Sequence, residues 1–169
     1  IEKVSDIKFD VIRNDKISIE EINQYDKILL SPGPGLPVDS GIMPQLLKHY
    51  ASTKSIFGVC LGLQAIGETF GASLQNLETV FHGLATPIHI IADDVIFENC
   101  PKTFTVGRYH SWVVNKNNLP SELVITSIDD GGNIMALKHS KYDVRGVQFH
   151  PESILSEFGE LIIKNWLGA

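Results

Sequence analysis

The sequence around Cys60 is typical of a turn that exposes a reactive side chain. In the stretch FGVCLGLQAIGE, residues 57–68, Gly58 and Gly62 flank this cysteine. This G-x-nucleophile-x-G spacing marks a tight strand-to-helix turn, in which glycines remove side chains that would clash. The positive end of the following helix would also favour a thiolate. The alternative is a cysteine that fills the core, as cysteines in apolar stretches often do. The two glycines favour the reactive thiol.

A reactive thiol needs a base, and the segment VQFHPES contains a candidate. Pro151 restrains the residue before it to an extended conformation, so the side chains of His150 and Glu152 are expected to project to the same side. A carboxylate beside an imidazole fixes its tautomer and makes it a better base. The alternative is that His150 ends a strand and Glu152 caps the next helix. With Cys60 in the same chain, the pair predicts a cysteine–histidine–glutamate site.

A proline- and glycine-rich loop is the third candidate element. In SPGPG, Gly33 and Gly35 bracket Pro34, and a backbone so free of side chains allows a ligand to approach closely. One of its N–H groups, together with the N–H of Leu61, would form an oxyanion hole. A plain turn between a strand and a helix is the alternative.

Composition excludes several classes of function. The chain has 14 basic and 20 acidic residues, spread without a basic patch, which argues against a nucleic-acid partner. No apolar run approaches a membrane span and no secretory signal opens the chain. Two cysteines without paired spacing indicate a reducing compartment, so a cytoplasmic protein is predicted. The remaining histidines form no metal-binding pattern, and no metal or cofactor is assigned to this chain; they are His49, His82, His89, His110 and His139.

The elements that would position these residues follow an alternating pattern in the first half of the chain. Apolar runs predict strands and 3.6-residue patterns predict helices, and their alternation implies a mostly parallel open sheet covered by helices, the α/β class. Ser18 has the capping-box spacing to Glu21 that opens a helix. The predicted strands are residues 9–13, 27–31 and 55–59, and the further predicted helices are residues 43–50 and 61–70.

The second half predicts a small mixed or antiparallel extension of that sheet. Short strands follow one another there as PIHII, WVV, LVITSI and IMALKH, and DDGGN joins the last two with residues that favour a hairpin. A strand at 145–149 and a helix at 157–166 close the chain. Ligands bind at the carboxyl ends of the strands in open parallel sheets. PGPGLP, CLGLQ and HPES each follow a predicted strand, which points to one shared site.

Four motifs together resemble a known family. SPGPGLP, GVCLGLQAIGE, VGRYHSWVV and GVQFHPESILS occur in this order and closely resemble the class I (triad) glutamine amidotransferases. Within that family they are most similar to the small subunits of anthranilate synthase and of aminodeoxychorismate synthase. The resemblance runs from about Phe9 to the C-terminus and implies a flavodoxin-like α/β fold in a single domain, residues 1–169. The first strand and helix of the family are expected to be missing from this domain.

The resemblance also implies an activity. Cys60 would attack the side-chain amide of L-glutamine, His150 would carry the proton to the departing ammonia, and Glu152 would orient His150. Ammonia would pass to a large chorismate-binding synthase subunit in a hetero-oligomer, with magnesium bound by that partner. Anthranilate synthase is the preferred partner, and the alternative is aminodeoxychorismate synthase or a small subunit shared by both. The residues implied to contact glutamine are Gly33, Pro34, Gly35, Leu61, Gln64, Ser111 and Trp112.

Two positions depart from the family pattern. Leu63 stands where histidine is frequent, and Trp112 stands where leucine is usual. Little effect on the chemistry is expected from Leu63, and Trp112 is tolerable if its contribution comes from the backbone. A hypothesis of another class is a flavodoxin-like binding module that has kept an inert cysteine. The presence of Cys60, His150 and Glu152 together favours the enzyme.

Overall fold

A seven-stranded mixed sheet organises the protein, and the computed structural model describes residues 1–169. The strand order is β1-β2-β9-β8-β7-β4-β5, and β3 and β6 form a separate two-stranded sheet. The strands are β1 (Lys27–Leu30), β2 (Ser55–Val59), β3 (Leu74–Asn76), β4 (Leu84–Ile90), β5 (Thr103–Arg108), β6 (Trp112–Val114), β7 (Leu123–Asp129), β8 (Ile134–His139) and β9 (Val144–Val147).

Helices cover both faces of the sheet, and the sheet separates the hydrophobic core into two clusters. They are α1 (Met43–Tyr50), α2 (Leu61–Thr69) and α3 (Gly159–Gly168). One apolar cluster lies under α1 and α2 and includes Ile56, whereas the other includes Phe57 and Trp166 of α3. Ile56 and Phe57 are neighbours in β2 and point to opposite faces. Strand β2 is therefore buried on both sides, which explains why its sequence is almost continuously apolar. No helix is long and apolar enough to span a membrane.

The parallel part of the sheet brings the three predicted motifs together. Strands β1, β2 and β9 are adjacent and parallel, with Leu30 opposite Gly58 and Val59 opposite Val147. The segments that leave their carboxyl ends are therefore neighbours in space. These segments are PGPGLP after β1, CLGLQ after β2 and HPES shortly after β9. The sequence predicts one shared site at this edge, and the three adjacent strands place the three segments there.

The α/β class and the antiparallel extension are confirmed, and the extension is larger than the sequence indicates. Parallel pairing is confined to β1, β2 and β9, whereas the strands from β9 through β8, β7 and β4 to β5 pair antiparallel. Strand β5 was not predicted because only two residues of its sequence, TFTVGR, are large and apolar: Phe104 and Val106. The hairpin across residues 129–133 is confirmed.

Two predicted elements differ from the structure. Residues 9–13 form no strand, because no neighbouring strand pairs with them; Val11 is 90% exposed. Ser18 and Glu21 do form the reciprocal capping-box hydrogen bonds. The element that they begin is a 3₁₀ turn at Glu21–Gln24 rather than an α-helix.

Candidate active site

Cys60 occupies a strained turn between β2 and α2. Its φ of 53° and ψ of −101° lie in a region that residues with a side chain rarely adopt. Its N–H donates to the carbonyl of Val147 in β9, and its carbonyl accepts from the N–H of Gln64 in α2. The turn is therefore held from the sheet and from the helix at once. Leu61 begins the helix, where the N–H groups of the first turn have no acceptor within the helix.

The glycines beside Cys60 are required by backbone contacts. A Cβ atom on Gly58 would lie 2.4 Å from the carbonyl carbon of Gly62, and one on Gly62 would lie 2.5 Å from the carbonyl oxygen of Leu30. Neither neighbour is a flexible side chain that could move away. Helix α2 therefore packs against the strands more closely than any side chain allows, and this close packing fixes the position of the thiol.

His150 and Glu152 form a hydrogen-bonded pair after β9. Nδ1 of His150 lies 2.7 Å from Oε1 of Glu152, and the His150 side chain is largely buried. Burial lowers the pKa of His150, but the Cys60 sulfur and the Glu152 carboxylate together outweigh it and raise that pKa to about 9. His150 is therefore an imidazolium at neutral pH. Its Nε2 is buried without a hydrogen-bond partner.

Tyr109 packs against the imidazole of His150. The two ring centroids are 4.9 Å apart in an edge-to-face arrangement, and the Tyr109 hydroxyl lies 3.0 Å from the hydroxyl of Ser153. This packing restricts the rotation of the His150 ring. Tyr109 stands in the motif VGRYHSWVV, but it was not among the residues predicted for the site. Its position two residues before the candidate Ser111 was the only sequence signal that placed Tyr109 near the site.

A cavity of about 350 Å³ opens beside Cys60. All seven residues that the sequence assigned to glutamine contacts line it: Gly33, Pro34, Gly35, Leu61, Gln64, Ser111 and Trp112. Other lining residues come from separate parts of the chain and were not predicted: Leu36, Val80, Phe81, His82, Tyr109 and His110. Three motifs therefore meet at one cavity: the segment around Cys60, SPGPG and RYHSW.

The amide of Gln64 is held by two acceptors. Its Nε2 donates to the carbonyl of Trp112 at 2.9 Å and to Oε1 of Gln148 at 3.2 Å. Gln64 therefore uses its amino group within the protein and leaves its carbonyl oxygen for a ligand in the cavity. Because Gln64 contacts the backbone of Trp112, the tryptophan side chain is compatible with this position. Leu63 faces the other way and is fully buried in the core.

His110 is a second histidine near the site, and its chemistry differs from that of His150. Burial and the nearby Arg108 lower the pKa of His110 to about 4, so it is neutral at physiological pH. Its Nε2 accepts from Nε of Arg108 and its Nδ1 donates to the carbonyl of Trp112. Both ring nitrogens are thus occupied. His110 supports the carbonyl that holds Gln64, and His150 is the histidine whose Nε2 remains available.

Comparisons with known proteins agree with this architecture. Residues 3–168 match the family Glutamine amidotransferase class-I. The structure of a candidate GMP synthase protein from Thermoplasma acidophilum superimposes with a TM-score of 0.82 at 25% identity, covering 92% of this chain and 77% of that chain. This mixed sheet between helical layers defines the α/β fold of that class. The chain belongs to the class I glutamine amidotransferases.

Curated relatives narrow the similarity within the family. The chain is 45% identical to anthranilate synthase beta subunit 2, chloroplastic, of Oryza sativa subsp. japonica, over 94% of this chain and 61% of that protein. It is 40% identical to aminodeoxychorismate/anthranilate synthase component 2 of Bacillus subtilis, over 93% of this chain and 81% of that protein. The chain thus spans about three fifths of the length of the rice relative.

Proposed function

We propose that the protein is the glutaminase part of a chorismate-aminating synthase. It would hydrolyse L-glutamine to glutamate and supply the ammonia to a larger partner. The observation that carries this proposal is the position of Cys60: a strained turn holds its thiol at the wall of a cavity, beside a histidine that is charged and paired with a carboxylate. An inert core cysteine would need neither the strain nor the charged pair.

The first half of the proposed reaction forms a thioester. The Cys60 thiolate attacks the side-chain carbonyl carbon of glutamine, and the negative charge moves to the carbonyl oxygen. The N–H of Leu61 and an N–H of the loop 33–35 would stabilise that oxygen. The imidazolium of His150 gives its Nε2 proton to the amide nitrogen, the C–N bond breaks, and ammonia leaves. Glu152 stays hydrogen-bonded to Nδ1 and keeps Nε2 directed at the reaction.

The second half releases glutamate. His150, now neutral, takes a proton from a water molecule as that water attacks the thioester carbon. The C–S bond then breaks, which returns a thiolate to Cys60 and an imidazolium to His150. The free carbonyl oxygen of Gln64 is suited to accept a hydrogen bond from the ammonium group of the substrate. Glutamine would thus be held at both ends.

The partner is proposed from the curated relatives. Their names include anthranilate synthase subunits from plants and a Bacillus subtilis component named for both aminodeoxychorismate and anthranilate synthase. We therefore propose a large chorismate-binding subunit, with its own magnesium, as the partner, and anthranilate synthase as the first choice. The name of the Bacillus component supports a second choice, in which both synthases share this chain. We also propose a cytoplasmic location, because two cysteines without paired spacing are typical of a protein in a reducing compartment.

A reconstitution experiment tests the partner. The purified chain is mixed with the large subunit of either synthase, together with glutamine, chorismate and magnesium, and the product is identified by chromatography. Anthranilate with one partner and no aminodeoxychorismate with the other is the expected result. The opposite pattern would replace anthranilate synthase with aminodeoxychorismate synthase, and both products would establish that the two synthases share this chain. If neither partner binds or accelerates glutamine hydrolysis, the chorismate assignment is wrong.

The change Glu152→Gln is expected to shift the alkaline limit of glutaminase activity to lower pH. The carboxylate contributes to raising the pKa of His150 to about 9, so without it the imidazolium is lost at a lower pH. Turnover should fall, but less than in His150→Ala, because an unoriented imidazole still transfers protons part of the time. The measurement is the pH profile of kcat for wild type and both variants.

The stability of the same variant provides the control. A raised pKa on His150 stabilises the folded state fully below its ordinary value of 6.5, and this contribution is lost as the pH rises through about 9. The difference in unfolding free energy between wild type and Glu152→Gln should therefore shrink towards high pH. Unchanged turnover would contradict the orienting role. Failure of the variant to fold at neutral pH would also contradict it, because a structural role of Glu152 would then be a sufficient explanation.

A further inference from the structure

Gln148 has a fully buried side-chain amide that lies between the thiol of Cys60 and the amide of Gln64. It follows β9 directly and has no solvent exposure. Its Nε2 donates to the sulfur of Cys60 at 3.5 Å, and its Oε1 accepts from Nε2 of Gln64 at 3.2 Å. Its backbone N–H donates to the carbonyl of Met135 in β8. The side chain thus rests on the central sheet and reaches both Cys60 and Gln64.

The orientation of this amide is determined by its neighbours. Gln64 presents an amino group, which can only donate, so Oε1 of Gln148 must face it. The amino group of Gln148 is then directed at the sulfur. A flipped amide would bring two amino groups together and would set its oxygen against the sulfur. Since Nε2 of Gln64 is also held by the carbonyl of Trp112, the whole chain of contacts has a single consistent direction.

We propose that Gln148 is a positioning residue that holds the Cys60 sulfur as a thiolate and couples it to Gln64. A hydrogen bond to a charged sulfur is stronger than one to a neutral thiol, so the Gln148 amide favours the thiolate form. It approaches independently of His150, whose Nε2 makes no hydrogen bond in this structure. The inference rests on the proposed function, since it assigns Gln148 a part in the same site.

Gln148 and His150 belong to the segment V-Q-F-H that leads out of β9, in which Gln148 and Phe149 form a bend. Val147 and Phe149, the neighbours of Gln148, are fully buried. A polar side chain buried in so apolar a segment costs free energy unless it is hydrogen-bonded. Gln148 meets that requirement only through Gln64 and Cys60.

Alkylation of Cys60 measures this contact without any substrate turnover. Iodoacetamide reacts with the thiolate, and mass spectrometry of digested peptides separates Cys60 from Cys100, the second free cysteine. Gln148→Met keeps the length of the side chain and removes the donor. It should slow alkylation of Cys60 at neutral pH about tenfold and move the pH midpoint of the rate upward, as expected for one hydrogen bond to a charged group. It should also lower kcat more than it raises KM.

Gln64→Met is the matched comparison, since it lies in the same network without touching the sulfur. It should raise KM for glutamine and slow alkylation of Cys60 by less than Gln148→Met does, because the Gln148 donor remains although Gln64 no longer fixes its orientation. A merely structural role for the network would move both variants together. Gln148→Asn is the second variant, since its shorter side chain withdraws the donor from the sulfur, and it should slow alkylation as Gln148→Met does.

The outcomes separate this inference from the proposed function. Unchanged alkylation in folded Gln148→Met and Gln148→Asn would overturn the positioning role. Circular dichroism shows whether the variants fold. Loss of folding in both would also count against the positioning role, because a structural role of Gln148 would then explain the result. If wild type hydrolyses no glutamine while the Gln148 variants still slow alkylation, the contact with the sulfur stands and the proposed function fails.

Discussion

Cys60→Ser is expected to abolish glutamine-dependent amination by the assembled complex while amination from added ammonium salts survives. Serine has nearly the shape of cysteine, but its hydroxyl is far less acidic and His150 is positioned to pair with a thiolate. Loss of the nucleophile should lower glutamine-dependent turnover by at least about three orders of magnitude. Ammonia supplied from solution bypasses the glutaminase, so the acceptor chemistry of the partner continues. The measurement is product formation with each nitrogen source.

The second cysteine offers a matched control for that experiment. Cys100 is partly buried, and burial raises the pKa of its thiol. It lies outside the cavity beside Cys60. Cys100→Ser should retain both activities. Loss of both activities in Cys60→Ser would instead assign Cys60 to the core and would support the hypothesis of a non-catalytic binding module.

Local patterns predicted the part of the fold that surrounds Cys60. The predicted bounds of α1 and β2 agree with the structure at both ends, because each is a short apolar or amphipathic segment between clear breaks. The GVCLG spacing predicted the strand-to-helix turn, since few backbones other than a tight turn require two glycines around one cysteine. The contact between His150 and Glu152 likewise depends on residues two apart, which is local information.

The rest of the site depends on contacts between distant parts of the chain. Gln148 reaches Cys60 across 88 positions and Gln64 across 84, and no local pattern indicates such pairs. The roles of Tyr109 and His110 also follow from packing alone. The strand predicted at residues 9–13 was wrong for the same reason: its residues favour a strand locally, but no partner strand pairs with it in the structure. The one sequence signal for Gln148 was a polar residue between two apolar ones, in VQF.

Gly58→Ala is expected to lower the free energy of unfolding by about 3 kcal/mol, at the upper end of the usual cost of overpacking a core. The added methyl would lie 2.4 Å from the carbonyl carbon and 2.6 Å from the carbonyl oxygen of Gly62. Both atoms belong to the backbone of α2, so the helix itself would have to move away from β2. A loss of this size corresponds to a fall in Tm of roughly 10 °C. Chemical and thermal denaturation measure both quantities.

Gly168→Ala separates this effect from the general consequence of replacing a glycine. A Cβ atom on Gly168 would meet nothing within 4 Å, and alanine favours a helix more than glycine does, so stability should stay the same or rise slightly. In Gly58→Ala the helix displacement would also carry Cys60 away from Gln148 and His150, and glutaminase turnover should fall in the molecules that remain folded. Wild-type stability in Gly58→Ala would show that α2 yields easily. The close approach of α2 to β2 would then not be what holds the sulfur in place.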